Sequence, residues 1–123
     1  MRILLVDDSS TMRRIQKNTL EKLGHTDVTE AGDGLEAIAK LTTAGPFDLV
    51  LMDWNMPNMT GIEALQKIKA DPALKAVPVI MVTSESEKTK IMEAIKSGAA
   101  NYVVKPFQAD VLQEKIAAVI KSI

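Results

Sequence analysis

The chain of 123 residues has no cysteine, few aromatic residues and no long apolar run. The missing cysteines exclude disulfides, thiolate nucleophiles and thiolate-bound metals, and they are typical of a reducing compartment. No apolar stretch approaches the roughly 20 residues that a membrane-spanning helix needs, and the start, MRILLVDD, does not fit a signal peptide. A formal net charge of −1 provides no bulk attraction for nucleic acid or anionic membranes. We therefore expect a cytoplasmic protein whose partners recognise local patches.

Two kinds of segment alternate along the chain. Short apolar runs predict strands buried on both faces of a sheet. These runs span 2–6, 48–52, 78–82 and 101–104, with a weaker candidate at 27–30. Amphipathic spacing predicts helices over 10–23, 34–43, 60–69, 87–97 and 108–122. Five such βα units predict one α/β domain over 1–123, with a parallel sheet and helices on both faces, because parallel strands need crossover connections.

The helical spacing also predicts which apolar side chains face the sheet. In the first helix these include Ile15 and Leu20, in the second Leu35, and in the fourth Ile95. Thr60 and Glu63 have the spacing of a capping box at the start of the third helix. Most of the methionines are expected in the core, with Met56 and Met59 as exceptions on a loop.

Polar residues follow the predicted strands at their carboxyl ends. Asp7 and Asp8 follow the first strand, Asp53 the third, Thr83 the fourth and Lys105 the fifth. Each has an ordinary explanation when taken alone; Asp7 and Asp8, for example, could favour the positive end of a helix capped by Ser9 or Ser10. In an open α/β sheet, however, these strand ends meet at one edge, where ligands bind. We therefore expect the five side chains to lie close together.

Clustered carboxylates favour a bound cation. Two carboxylates about 4 Å apart repel by about 4 kcal/mol at an effective dielectric of 20. Hard oxygen ligands without cysteine or clustered histidine select Mg²⁺, or Mn²⁺, over zinc. A metal beside an ammonium and a hydroxyl suits phosphoryl transfer. Because the sequence has no Gly-rich phosphate loop, no bound nucleotide is implied, and an aspartate would be the nucleophile.

Four stretches of the sequence resemble the response-regulator receiver domains. They are VDDSSTMRRI (6–15), DWNMPNMTG (53–61), MVTSE (81–85) and YVVKPF (102–107). The resemblance covers essentially the whole chain and implies a flavodoxin-like (βα)5 fold with strand order 2-1-3-4-5.

The resemblance implies a role for each residue at the strand ends. Asp53 would accept the phosphoryl group, and Asp7, Asp8, Asp53 and the backbone carbonyl of Asn55 would bind Mg²⁺, with Asp8 favoured over Asp7 as a direct ligand. Lys105 and Thr83 would contact the phosphoryl group, and Tyr102 would act as an aromatic switch.

The resemblance also implies residues that tune or report on the site. Asn55 and Glu85 would tune the lifetime of the phosphorylated state, and Lys105-Pro106 would be a cis peptide bond. Trp54 would report metal binding by its fluorescence.

The family also implies partners. We expect a monomeric signalling protein, not a conventional enzyme, that catalyses its own phosphorylation by a CheA-like sensor histidine kinase and its own dephosphorylation. The face of the fourth helix, fifth strand and fifth helix would bind an output protein, and the flagellar motor switch is favoured. The residues named on this face are Tyr102, Lys88, Lys90, Ile91 and Lys115.

Three other functions are open to a chain of this pattern. A receiver could instead relay phosphate to a histidine phosphotransfer protein. A metal-dependent phosphatase would show a DxDx(T/V) pattern after the first strand, where this chain has DDSS. A flavodoxin would need a Ser/Thr-rich phosphate loop, whereas carboxylates occupy that position here.

Overall fold

Strands and helices alternate strictly in the computed structural model, which describes residues 1–83, 88–104 and 108–121, with the backbone alone at 83, 88, 89 and 121. The strands are β1 (Arg2–Val6), β2 (Asp27–Ala31), β3 (Leu49–Asp53), β4 (Val79–Thr83) and β5 (Asn101–Val104). The helices are α1 (Ser10–Lys22), α2 (Gly34–Thr43), α3 (Gly61–Ala70), α4 (Lys88–Lys96) and α5 (Ala109–Lys121). No helix in these described ranges has the length and apolarity to cross a membrane.

All four strand pairings are parallel, and the strands lie in the order β2-β1-β3-β4-β5. The predicted fold class and strand order are therefore confirmed. The order reverses beside β1, so the carboxyl ends of β1 and β3 flank the crevice where ligands bind in such folds.

Alternate side chains of the strands enter two separate apolar layers. One layer joins Val50, Met52 and Met81 to residues of α2, α3 and α4. The other joins Leu49, Leu51 and further strand residues to α1 and α5. Since both faces of the sheet are covered, the strands are apolar at nearly every position, which is why they stood out in the sequence.

Three strands differ from the prediction by one residue: β2 ends one residue later, at Ala31, while β3 and β4 each begin and end one residue later. β3 ends at Asp53 and β4 ends at Thr83, so both polar residues are the last members of their strands instead of following them. In the register of the sheet, Asp53 pairs with Val82, and Thr83 pairs with Val104. The parallel ladder therefore fixes the backbone of Asp53 directly.

The predicted inward orientation of three helical side chains is wrong. Ile15, Leu35 and Ile95 are exposed by 52%, 53% and 47%. In α1 the buried residues are Gln16 and Leu20. They are four residues apart and therefore lie on the same face of the helix. Ile15 lies about 100° around the helix from Gln16, so burying the glutamine leaves the isoleucine facing solvent.

Candidate metal centre at the carboxyl edge of the sheet

Three carboxylates converge where β1 and β3 end. One carboxylate oxygen from each of Asp7, Asp8 and Asp53 lies within 4.8 Å of the other two. Asp7 is 1% exposed and Asp53 is 7% exposed, whereas Asp8 faces solvent. Two of the three carboxylates are thus buried, and the third is exposed to solvent.

Asp7 is held in place by α1 through both its side chain and its backbone. The backbone N–H of Ser9 donates to Oδ1 at 2.9 Å, and Nε2 of Gln16 donates to Oδ2 at 3.1 Å. Nη1 of Arg13 donates to the carbonyl of Asp7 at 2.5 Å, while its Nε donates to Glu30 at 3.1 Å. Ser9 also caps α1 by accepting from the N–H of Met12 at 3.2 Å, as the sequence allowed.

Asp53 is oriented by the chain that follows it. The N–H of Trp54 donates to Oδ1 of Asp53 at 3.0 Å and to the carbonyl of Val82 at 3.2 Å. The N–H of Gly61 donates to the carbonyl of Trp54 at 2.8 Å. This brings Gly61 so close that a Cβ there would lie 2.0 Å from the carbonyl oxygen of Asp53. Only glycine allows this loop to close over the end of β3.

The loop over 54–60 is tied to α2 by one side-chain hydrogen bond. Asn58 has a φ of 66°, in the left-handed region that asparagine tolerates. Its Nδ2 donates to Oδ2 of Asp33 at 2.9 Å, and Oδ1 of Asp33 accepts from the N–H of Glu36 at 2.8 Å. The Glu36 N–H, followed by the Asn58 amide, holds the pKa of Asp33 below its ordinary value because both stabilise the charged form.

The end of the same loop forms the predicted capping box. The N–H of Glu63 donates to Oγ1 of Thr60 at 3.3 Å, and the N–H of Thr60 donates to the carboxylate of Glu63 at 3.1 Å. The backbone N–H and then the hydroxyl of Thr60 lower the pKa of Glu63.

Met56 and Met59 lie on this loop as expected, but both are buried in the apolar layer of α2 and α3. The loop is thus part of the core.

Trp54 belongs to the same apolar layer, although it is adjacent to Asp53. Its side chain is 7% exposed, and Nζ of Lys90 lies 5.8 Å from the ring centroid. That distance is within the range of a cation–π contact. A helix of the expected partner surface therefore touches the residue next to the carboxylate cluster.

Tyr102 lies at the edge strand of the sheet, where it pairs with Met81. Its half-buried side chain packs against the apolar layer of α4, and Nζ of Lys115 lies 4.4 Å from its ring centroid. This position, beside α4 and α5, agrees with the surface that the family resemblance implied. The inward movement of the ring remains a prediction.

The other predicted site residues differ in how far they are described. Asn55 is exposed on the loop after Asp53. The backbone of Thr83 ends β4 beside Val104. The side chains of Thr83 and Lys88, all of Lys105 and Glu85, and the predicted cis Lys105-Pro106 bond lie outside the described residues.

The donor set fits Mg²⁺. Three carboxylates within 4.8 Å provide hard oxygen ligands and concentrate negative charge, and the exposure of Asp8 leaves room for the waters that Mg²⁺ retains. This is the only group of at least three His, Asp or Glu side chains arranged to hold a metal in the part of the chain that the structure describes. The sequence prediction that Asp7, Asp8 and Asp53 converge is therefore in agreement with the structure.

The chain belongs to the response regulator receiver domain family, whose model matches residues 3–117. Such domains are signalling modules, and CheY is itself a standard example of the strand order seen here.

Individual relatives are similar over nearly their full lengths. The chain is 51% identical over 123 residues to the chemotaxis protein CheY of Pseudomonas aeruginosa PAO1, covering 100% of this chain and 98% of that one. It is 48% identical over 120 residues to the chemotaxis protein CheY1 of Helicobacter pylori J99, covering 98% and 97%. The structure of Vibrio cholerae chemotaxis protein CheY4, crystallised at low pH, superposes with a TM-score of 0.87 at 36% identity, covering 96% and 97%.

Sequence reasoning missed four residues that shape the site. Arg13 and Gln16 hold Asp7, while Gly61 and Asn58 hold the loop after Asp53. A signal existed for two of them: Gly61 directly follows the capping threonine, and Asn58 lies in a turn-forming Pro-Asn pair. For Gln16 the helical spacing pointed to Ile15 instead.

Proposed function

We propose that this protein is a phosphorylation-activated switch of a two-component system, with Asp53 as the phosphoryl acceptor. The observation that carries the proposal is the convergence of Asp53 with Asp7 and Asp8 at the switch point of a receiver fold. Mg²⁺, when bound by these carboxylates and the carbonyl of Asn55, would neutralise negative charge on the incoming phosphoryl group. The chain would act as one receiver domain, in the cytoplasm.

In the proposed reaction, a carboxylate oxygen of Asp53 attacks phosphorus. The new O–P bond forms as the P–N bond of a kinase phosphohistidine breaks, and the histidine nitrogen keeps the electron pair. The Trp54 N–H orients the carboxylate of Asp53 through Oδ1. Lys105 would pair with the transferred group, and the hydroxyl of Thr83 would donate to one of its oxygens. Hydrolysis of the acyl phosphate returns the switch to its resting state.

The output would pass to a protein partner through the surface of α4, β5 and α5. Three of the six large apolar side chains that are exposed in the described ranges lie there, namely Met92, Ile95 and Val111. On the same two helices, Nζ of Lys90 lies 5.8 Å from the ring centroid of Trp54, and Nζ of Lys115 lies 4.4 Å from that of Tyr102. A change at Asp53 can thus alter this surface through packed neighbours, as a shift between two populations.

The similarity to chemotaxis proteins over the full chain favours the flagellar motor switch as that partner. Binding to a motor-switch peptide should strengthen when a phosphodonor and Mg²⁺ are added. Transfer of the label to a histidine phosphotransfer protein, without such binding, would instead indicate a relay.

The acceptor assignment is tested with two aspartates at opposite ends of one strand. Asp53→Asn removes the proposed acceptor, and Asp48→Asn is the matched control just before β3, where Asp48 accepts from the N–H of Arg2 at 2.7 Å. With acetyl phosphate and Mg²⁺, intact-mass spectrometry should find a phosphoryl adduct on the wild type and on Asp48→Asn, and none on Asp53→Asn. Full adduct formation on Asp53→Asn would refute the assignment.

A further inference from the structure

Gln16 and Leu20 are the two buried residues of α1, and Gln16 is the polar one. Its side chain is 2% exposed, and it lies four residues from the buried Leu20 on the side of α1 that faces the sheet. Burying an amide is unfavourable unless it is hydrogen-bonded, and methionine or leucine would fill a similar space without that cost. The position therefore calls for an explanation in terms of what the amide contacts.

The amide contacts the carboxylate cluster through Asp7. Nε2 of Gln16 donates to Oδ2 at 3.1 Å, while the N–H of Ser9 donates to Oδ1 at 2.9 Å. A donor on each oxygen fixes the rotation of the carboxylate about its last bond. Each carboxylate oxygen carries two lone-pair sites, so these bonds do not exclude a cation or its water.

We propose that Gln16 is a positioning residue that sets the Mg²⁺ affinity of the site by holding Asp7 in its binding orientation. The inference rests on the proposed function, because it assigns the cluster to Mg²⁺. Gln16 itself contacts neither metal nor phosphoryl group and acts through Asp7. Residues that orient metal ligands in this way commonly change metal affinity by about 10-fold to 100-fold when replaced.

A purely structural role for Gln16 makes a different prediction. If the amide only satisfied a buried carboxylate, its loss would lower thermal stability but leave the Mg²⁺ affinity of the folded protein unchanged. If it positions Asp7, the affinity falls even where the protein is fully folded. The dissociation constant for Mg²⁺ therefore separates the two roles.

The test uses Gln16→Met, which keeps the length of the side chain and removes the donor. The matched control is Gln66→Met on α3, where the exposed Gln66 contacts Ser97 at 3.4 Å. Isothermal titration with Mg²⁺ alone should give about tenfold weaker binding for Gln16→Met and an unchanged constant for Gln66→Met. The NMR shift of the Ser9 amide should also change in apo Gln16→Met, because its acceptor is no longer held.

Unchanged or tighter Mg²⁺ binding by folded Gln16→Met would overturn the inference. Should that variant not fold, Gln16→Leu is measured in its place, and the wild-type side-chain amide of Gln16 is followed by NMR during the titration. The Gln16 amide resonances should shift with the same Mg²⁺ dissociation constant as calorimetry gives. Resonances that do not shift when the protein is saturated with Mg²⁺ would contradict the proposal. If the wild type itself binds no Mg²⁺, the proposed function fails. If the wild type and Gln16→Met bind Mg²⁺ equally well, only the inference about Gln16 fails.

Discussion

The two edges of the sheet differ in what gathers there. At the amino edge, the loops before β3 and β4 border a cavity of about 490 Å³. Its walls are mainly apolar and include Leu41, Phe47, Leu74 and Val77. At the carboxyl edge, the notable feature is three carboxylates within 4.8 Å of one another. This cavity is therefore not where the three carboxylates meet.

The amino edge also has charged side chains, but each is engaged locally. Asp48 accepts from the N–H of Arg2 at 2.7 Å, and Asp71 accepts from the N–H of Ala73 at 2.8 Å. Nζ of Lys69 donates to the carbonyls of Lys75 and Val77 at 2.9 and 2.7 Å. Burial lowers the pKa of Lys69. Asp71 and Lys69 thus stabilise the loop between α3 and β4, and Asp48 links the start of β3 to β1.

The two edges therefore differ in kind: charge converges at the carboxyl edge, which we propose is the functional one, whereas the amino edge has an apolar cavity. Like charges brought together at a buried strand end raise the free energy of the metal-free state unless a cation or other positive groups balance them. We expect such an unfavourable arrangement of like charges where ligand binding requires it.

The largest expected effect is that of Gly61→Ala. A Cβ at this position would lie 2.0 Å from the carbonyl oxygen of Asp53, which belongs to the backbone and cannot rotate away as a side chain can. We expect the free energy of unfolding to fall by about 2–4 kcal/mol, and phosphorylation of the folded fraction to fall as well, because the loop after Asp53 must move. Urea denaturation and adduct formation measure the two effects.

Gly32→Ala is the control for this change, because the nearest atom to a Cβ there would be Oε2 of Glu36, at 3.5 Å. Its stability should stay within about 1 kcal/mol of the wild type. Equal stability of the Gly61 and Gly32 variants would show that the closure of the loop over β3 is not as tight as described.

Asp8→Asn should have the next largest effect, on metal affinity. It removes one of the three negative charges of the carboxylate cluster while leaving an exposed side chain of the same size. We expect Mg²⁺ binding to weaken by more than about tenfold with little change in stability. Asp71→Asn, at the amino edge, should bind Mg²⁺ like the wild type. Similar losses in both variants would contradict a localised site.

Asn58→Ala should have the smallest effect. It removes the hydrogen bond to Asp33 and a residue suited to a φ of 66°, at a cost of about 1 kcal/mol. The pKa of Asp33, measured by NMR, should rise toward its ordinary value. Because the folded-state pKa of Asp33 is depressed, its stabilising contribution is present above the unfolded pKa and is lost as pH falls through the folded pKa.

The acid sensitivity of the loop should therefore be weaker in Asn58→Ala than in the wild type. Asn58→Gly is the useful companion, because glycine adopts positive φ without strain but lacks the amide. If the pKa of Asp33 in Asn58→Gly equalled that in the wild type, the Asn58 amide would not contribute to lowering this pKa.

Much of the fold could be predicted because it depends on repeated patterns. Strands buried on both faces are apolar at almost every position, and the boundaries of β1 and β5 matched the prediction. The meeting of Asp7, Asp8 and Asp53 followed from topology, since parallel strands end at one edge. The strand order itself came from the family resemblance.

The supporting contacts could not be predicted because each depends on one close approach in three dimensions. Helical spacing favoured an inward Ile15, yet the carboxylate of Asp7 stabilises a buried amide, so Gln16 faces inward instead. The need for glycine at position 61 arises from a carbonyl eight residues earlier. No residue pattern along the chain encodes such distances.

The most direct test of the central claim is to locate the phosphoryl group on the wild-type protein. After reaction with acetyl phosphate and Mg²⁺, borohydride reduction of the acyl phosphate and peptide mass spectrometry identify the modified aspartate. We predict modification at Asp53 alone, and its loss when EDTA removes the metal. Modification at Asp48 or Asp71 of the amino edge, or at Asp53 without any divalent cation, would contradict the account.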